Sequence, residues 1–242
     1  MSESAKLRGI LLDLDGTIAD SIEFFYGVAC EMLGAADCAP PERSEVLDAI
    51  ANGVVPHERF LPADFPNREA FLARLYRDHF PNWIRRYGTE IEPLVGAVET
   101  VRVLECRGLR LALVTSSSGP LPFLDRWGIR TSFSAIIGRD DVRRIKPDPE
   151  AVRLALERLG LDPSEVVNVG DTPLDVRAGL AAGVATVGVL TGAGTEHQLR
   201  AAGASQILHS LAELPDFLDR SFSDKDPGEC DTRRSGPRST RS

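Results

Sequence analysis

Cysteine is scarce in this chain: four in 242 residues, at Cys30, Cys38, Cys106 and Cys230, with no C-x-x-C pair. That scatter excludes a disulfide framework and a paired-ligand zinc site, and fits reduced thiols in a cytoplasmic protein. Positive charge is also short, with 28 Lys and Arg against 36 Asp and Glu and a formal net charge of −8. A nucleic-acid partner needs a basic face, so none is expected. A small phosphorylated ligand remains compatible, because one local pocket can be positive on an acidic protein. No apolar run approaches the roughly 20 residues of a membrane-spanning helix. The opening MSESAKLRGILLDLDG carries only a few apolar residues before it meets aspartate, unlike a secretory signal. A soluble protein with no membrane partner is the expectation. Lysine, finally, is missing from residues 20–92.

What is present is enough for a core, since 43% of the residues are hydrophobic. Short apolar runs recur at Gly9–Leu12, Leu109–Val114, Ala135–Ile137, Val166–Val169 and Ala185–Leu190. They are apolar throughout rather than alternating, which suits strands covered on both faces. Helical patterns lie between them. In PEAVRLALERLG, Val152, Leu156 and Leu159 fall at helical spacing, with Pro149 at the start and Gly160 at the stop. Strands alternating with helices predict an α/β fold: a parallel sheet with helices on both faces. Residues 20–92 break that rhythm. A helical stripe there (Phe71, Leu75, Tyr76, Phe80, Trp83, Tyr87) reads as a helical insertion after the first strand. Pro93 and Gly96 in EIEPLVG mark a hinge or loop back to the sheet. Residues 221–242 are polar and rich in Ser, Arg, Pro and Gly, the composition of a disordered tail. Asp20 and Glu23 have the spacing of a helix cap and its partner. His57, His79 and the Arg85–Arg86 pair read as packing or surface residues, and TGAGT (191–195) as a plain strand-to-helix loop.

Ligands in open α/β sheets bind outside the carboxyl ends of the strands, and the reactive-looking residues fall there. Asp13 follows the first strand, Thr115 and Ser116 the second, and Asp171 the Val166–Val169 run; Lys146 lies between a strand and a helix. Asp13 and Asp15 stand one residue apart. Two such charges at 4 Å repel by about 4 kcal/mol at an effective dielectric of 20, so an offsetting cation is required. Taken alone, the pair could also be ordinary residues of an Asp-Gly turn.

DLDGT (13–17), VTSS (114–117), KPDPE (146–150) and GDTPLD (170–175), in that order, resemble the motifs of the haloacid dehalogenase-like hydrolase superfamily. From Pro93 to Leu214 the chain is similar to its phosphoglycolate phosphatase and β-phosphoglucomutase branch. The resemblance implies a Rossmann-like core over 1–19 and 93–220, with residues 20–92 as an inserted helical cap. It implies Asp13 as nucleophile, Asp15 as general acid–base, and Lys146 as a charge-balancing catalytic residue that also binds phosphate beside Thr115 and Ser116. Mg²⁺ would be held by Asp13, the Asp15 carbonyl and Asp171, with Asp175 on a metal-bound water. Asp175 could equally serve the first turn of a helix. The implied activity is hydrolysis of a small phosphorylated metabolite, phosphoglycolate first, by a monomer or homodimer. A sugar-phosphate mutase and a non-catalytic binding module are the alternatives. A phosphonate hydrolase would want a cap lysine, which residues 20–92 lack.

Overall fold

The computed structural model describes residues 6–119 and 121–222. The expected disordered tail, from residue 223 onward, lies outside these; Ser221 and Phe222 close a helix. Six parallel strands form the sheet: β1 (Gly9–Leu12), β4 (Arg110–Val114), β5 (Phe133–Ile137), β6 (Val166–Gly170), β7 (Ala185–Val189) and β8 (Gln206–Leu208), in the order β5-β4-β1-β6-β7-β8. Between β1 and β4 in sequence lies a separate two-stranded ribbon, β2 (Ala19–Asp20) with β3 (Glu92–Pro93), paired antiparallel.

The apolar runs form strands because both faces of the sheet are covered. Side chains alternate across a strand, so Ile10 and Leu12 enter the core on one face and Leu11 the core on the other. On the first face lie α5 (Ala97–Cys106) and α10 (Leu214–Phe222), through Val101, Leu104, Leu214 and Leu218. On the second lie α7 (Glu150–Leu159) and α8 (Pro173–Ala181), through Val152, Ala155, Leu159 and Ala178. Burying each large aliphatic side chain of β1 contributes about 1.5–3 kcal/mol. Helix α7 begins after Pro149 and stops at Gly160, whose φ of 62° suits glycine.

The inserted segment is helical: α1 (Ile22–Gly34), α2 (Arg43–Ala51), α3 (Pro56–Phe60) and α4 (Arg68–Glu90). It has a small core of its own, where Met32 meets Leu75 and Trp83. Asp20 does not cap α1, contrary to the expectation from its spacing to Glu23. The residue preceding α1 is Ser21, while Asp20 belongs to the ribbon, paired with Glu92, and Glu23 instead reaches Arg43 at 2.5 Å. Backbone pairing across the ribbon takes Asp20 out of capping position. The return at EIEPLVG is likewise a strand of this ribbon before it turns at Gly96, where φ is 76°.

The order of the strands reverses at β1, since the chain builds β4 and β5 on one side and β6 to β8 on the other. The carboxyl ends of β1, β4 and β6 therefore share one crevice, where a doubly wound sheet binds its ligand.

Candidate active site

Asp13 follows β1 directly, and its N–H donates to the Val169 carbonyl of β6 at 2.9 Å, locking the two strand ends together. Asp171 is the residue after β6. Lys146, joined to Pro147 by a cis peptide bond, reaches in from the segment between β5 and α7. Its ammonium donates to Asp13 Oδ1 and to Asp175 Oδ1, each at 2.5 Å. Asp13, Lys146, Asp171 and Asp175 are 7%, 7%, 1% and 3% exposed. Four charged groups are thus withdrawn from water together.

Carboxylate oxygens of Asp13, Asp171 and Asp175 lie within 4.8 Å of one another. One ammonium cannot balance three buried carboxylates. Burial lifts the Asp13 carboxyl from 3.8 to about 7, with Lys146 opposing and the charges of Asp175 and Asp15 assisting. Burial, then Asp175 and Asp13, push Asp171 well above the usual carboxylate range. Burial works against the Lys146 charge, yet Asp13 and Asp175 outweigh it and hold its pKa above the ordinary lysine value. Asp171 Oδ2 accepts the Ala193 N–H at 2.8 Å, while its buried Oδ1 has no hydrogen-bond partner among the described residues. An orphaned anionic oxygen inside an all-oxygen donor set suits a hard divalent cation such as Mg²⁺. Asp175 is better satisfied. Besides Lys146, it accepts the Thr172 N–H at 3.0 Å and hydroxyl at 2.6 Å, forming the capping box that starts α8.

Asp15 stands outside this cluster, facing the insertion. Its Oδ1 accepts the Tyr87 hydroxyl at 2.6 Å and its Oδ2 the Ser117 hydroxyl at 2.7 Å. Tyr87 comes from the last turn of α4, where its ring is gripped by Phe24, Phe25 and Phe123. Burial, then the Asp15 charge, push its phenol well above the ordinary value, so it stays a donor. Thr115 is buried, and its hydroxyl oxygen accepts the Ser117 N–H at 3.0 Å. Ser116 is exposed on the cleft wall. Thr17 is buried with its hydroxyl unpartnered among the described residues.

Ser117, Tyr87 and the TGAGT loop, none of them a site candidate from the sequence, also join the site. That loop encloses Asp171: Ala193 and Gly194 donate their N–H groups to its side chain and carbonyl, and Thr191 bonds the Gly16 carbonyl at 2.7 Å. A Cβ at Gly192 would collide with the Asp171 carboxylate, and Gly16 turns at φ 78° against the same group. These glycines let backbone lie against the carboxylate. His57 is a buried packing residue, as expected, but it lines the cleft. Arg86 is taken up by Glu31 and Glu90, and Arg85 by Asn82.

The ordered strand-end carboxylates, the buried lysine and the helical insertion define a haloacid-dehalogenase type of hydrolase site. The chain belongs to the haloacid dehalogenase-like hydrolases, whose family model matches residues 10–189, and is a phosphatase-type enzyme of that group. It is 31% identical over 229 residues to an N-acetylmuramic acid 6-phosphate phosphatase of Pseudomonas aeruginosa, covering 90% of this chain and 98% of that one. It is 32% identical over 216 residues to the phosphoglycolate phosphatase of Escherichia coli K12, covering 79% and 84%. A solved hydrolase from Pseudomonas syringae superposes with a TM-score of 0.71 at 26% identity, covering 89% of this chain and 100% of that one. Among the described residues no helix is long and apolar enough to cross a membrane.

Proposed function

We propose that the protein is a Mg²⁺-dependent phosphatase that hydrolyses a small phosphomonoester through a phosphoryl group carried on Asp13. The observation that carries this reading is the buried Asp13, Asp171 and Asp175 cluster spanned by Lys146, with Asp15 poised beside it. Asp171, Asp13 and the Asp15 carbonyl would hold Mg²⁺, which supplies charge neutralisation for the transferring phosphoryl group. Asp175, its oxygens already engaged by Lys146 and Thr172, is suited to a metal-bound water. Thr115, the Ser116 N–H and Lys146 would bind phosphate oxygens.

An Asp13 oxygen attacks phosphorus as the ester P–O bond breaks, and Asp15 gives its proton to the departing alkoxide. Asp15 then takes a proton from the water that attacks the phosphoryl-aspartate, releasing phosphate and restoring Asp13. Both Asp15 oxygens accept hydrogen bonds here, the state required for the base half; in the acid half a proton replaces one donated bond. Among the described residues, those within 1–19 and 93–220 would form the chemical core, and 20–92 a cap that would close over substrate and exclude water. Phosphoglycolate, the compound suggested by the resemblance, is one test substrate, and N-acetylmuramic acid 6-phosphate is another.

The test is phosphate release from such esters, scored beside any isomerised phosphate ester. Phosphate release that EDTA abolishes and Mg²⁺ restores is expected. Full activity in chelator would remove the metal from the account. Isomerised ester as the main product would make the protein a mutase.

A further inference from the structure

The cleft above Asp13 and Asp15, about 370 Å³, continues past Phe25, Val28, His57 and Ser117 into a second cavity of about 230 Å³ between α1 and α4. The second cavity is walled chiefly by Phe24, Phe80, Trp83, Ile84 and Tyr76. Tyr87 joins the two, because its ring forms part of this wall while its hydroxyl holds Asp15. A group leaving from phosphorus, with its oxygen at Asp15, therefore has its body directed toward the aromatic cavity.

Two further observations give the chemistry of that body. First, Lys146 is the one cationic side chain lining either cavity among the described residues, and it is already shared between Asp13 and Asp175. Burial lowers the pKa of His57 from 6.5 to about 4, so its ring is neutral near pH 7. Its Nε2 lies 2.7 Å from the Tyr76 hydroxyl, which donates onward to Glu58. Nothing on these walls would neutralise an anionic leaving group. Second, apolar surface is exposed here. Of the seven large apolar side chains exposed among the described residues, Val54, Val55, Phe80 and Ile84 line the two cavities. Exposed apolar groups gathered at a cavity mark a binding surface.

We infer that the substrate is the phosphate monoester of an uncharged alcohol with a ring-sized apolar face, which the aromatic cavity between α1 and α4 receives. This rests on the phosphatase reading above. It places phosphoglycolate and N-acetylmuramic acid 6-phosphate, whose leaving groups each carry a carboxylate, among the poor substrates.

Three compounds and one pair of variants test it, all with Mg²⁺. Acetyl phosphate, too small to reach the aromatic cavity, reports the phosphatase chemistry by itself. Benzyl phosphate and phosphoglycolate both lose an alkyl-type oxygen, one neutral and ring-bearing, the other anionic. Benzyl phosphate should show a kcat/KM at least about tenfold higher, the discrimination a filled apolar pocket provides. Phe80→Arg and Ile84→Arg change exposed side chains, 45% and 37% accessible, and circular dichroism should show both variants folded. Each should lower turnover of benzyl phosphate and raise that of phosphoglycolate. Acetyl phosphate turnover with phosphoglycolate equal to or better than benzyl phosphate would overturn this inference and leave the phosphatase reading standing. An unchanged ratio in both arginine variants would overturn it as well. No turnover of any of the three would overturn the phosphatase reading itself.

Discussion

The two walls of the cleft are built by opposite chemistry. The sheet edge presents charge: three buried carboxylates and a lysine, held at the ends of β1 and β6 and by the segments that follow β5 and start α8. The inserted helices present aromatic rings and a neutral histidine and, among the described residues, no cation facing the cavity. Fixed charge belongs on rigid, doubly covered strands because electrostatic catalysis requires groups that do not reorganise. An apolar wall tolerates movement, since burial is non-directional. On the proposed phosphatase reading, the contrast gives reaction to the sheet edge and selection to the insertion, with Tyr87 the contact between them.

Changes at the charged wall should have the largest effects. Asp13→Asn should cut phosphate release by on the order of 10⁴-fold or more, as loss of a nucleophile does. Circular dichroism should show the variant folded, and wild-type turnover by that folded variant would dismiss the assignment. Lys146→Met strands Asp13 and Asp175 without their shared cation. Breaking a buried pair in this way costs about 3–5 kcal/mol, readable as a fall in the urea midpoint at pH 7. An unchanged midpoint would show that the lysine does not balance the cluster.

At the apolar wall the effects should be smaller and concern stability and timing. His57 has a folded pKa of about 4 against an ordinary 6.5. Between those values the unfolded chain binds a proton that the folded chain refuses. The stability due to neutral His57 is therefore present above about pH 6.5 and lost as pH falls toward 4, by about 3 kcal/mol at most. His57→Gln should be less sensitive than wild type when urea unfolding at pH 7 is compared with pH 4.5. Identical pH sensitivity would contradict a buried neutral ring. Tyr87→Phe removes one of two donors to Asp15 and should lower kcat about tenfold for alkyl phosphates, a share of what a general acid contributes. Aryl phosphates with good leaving groups should lose less, because they need less proton donation. An equal loss for both would make Tyr87 a packing residue only.

Much of the charged wall was legible in the sequence, because its residues follow apolar strand runs and local order places them. Asp13, Thr115 and Asp171 each follow a strand directly. The helical character of the insertion was legible too, from the stripe ending at Tyr87. The ribbon escaped notice because strands of two residues, Ala19–Asp20 and Glu92–Pro93, have no periodicity to detect. The three-residue edge strand Gln206–Leu208 escaped for the same reason. Tyr87 and Ser117 meet Asp15 across 72 and 102 residues of chain, and no local pattern encodes such a contact. The TGAGT loop did carry a signal in its two glycines, which are needed because backbone packs directly on Asp171.

The most direct measurement is identification of the phosphorylated residue. Enzyme and Mg²⁺ should be mixed with a turned-over phosphate ester, quenched in acid within a single turnover, and the peptides read by mass spectrometry. The account predicts a hydroxylamine-labile phosphoryl group on Asp13, absent from Asp13→Asn. A phosphoryl group on Ser116 or Ser117, or steady turnover with none on Asp13, would contradict it.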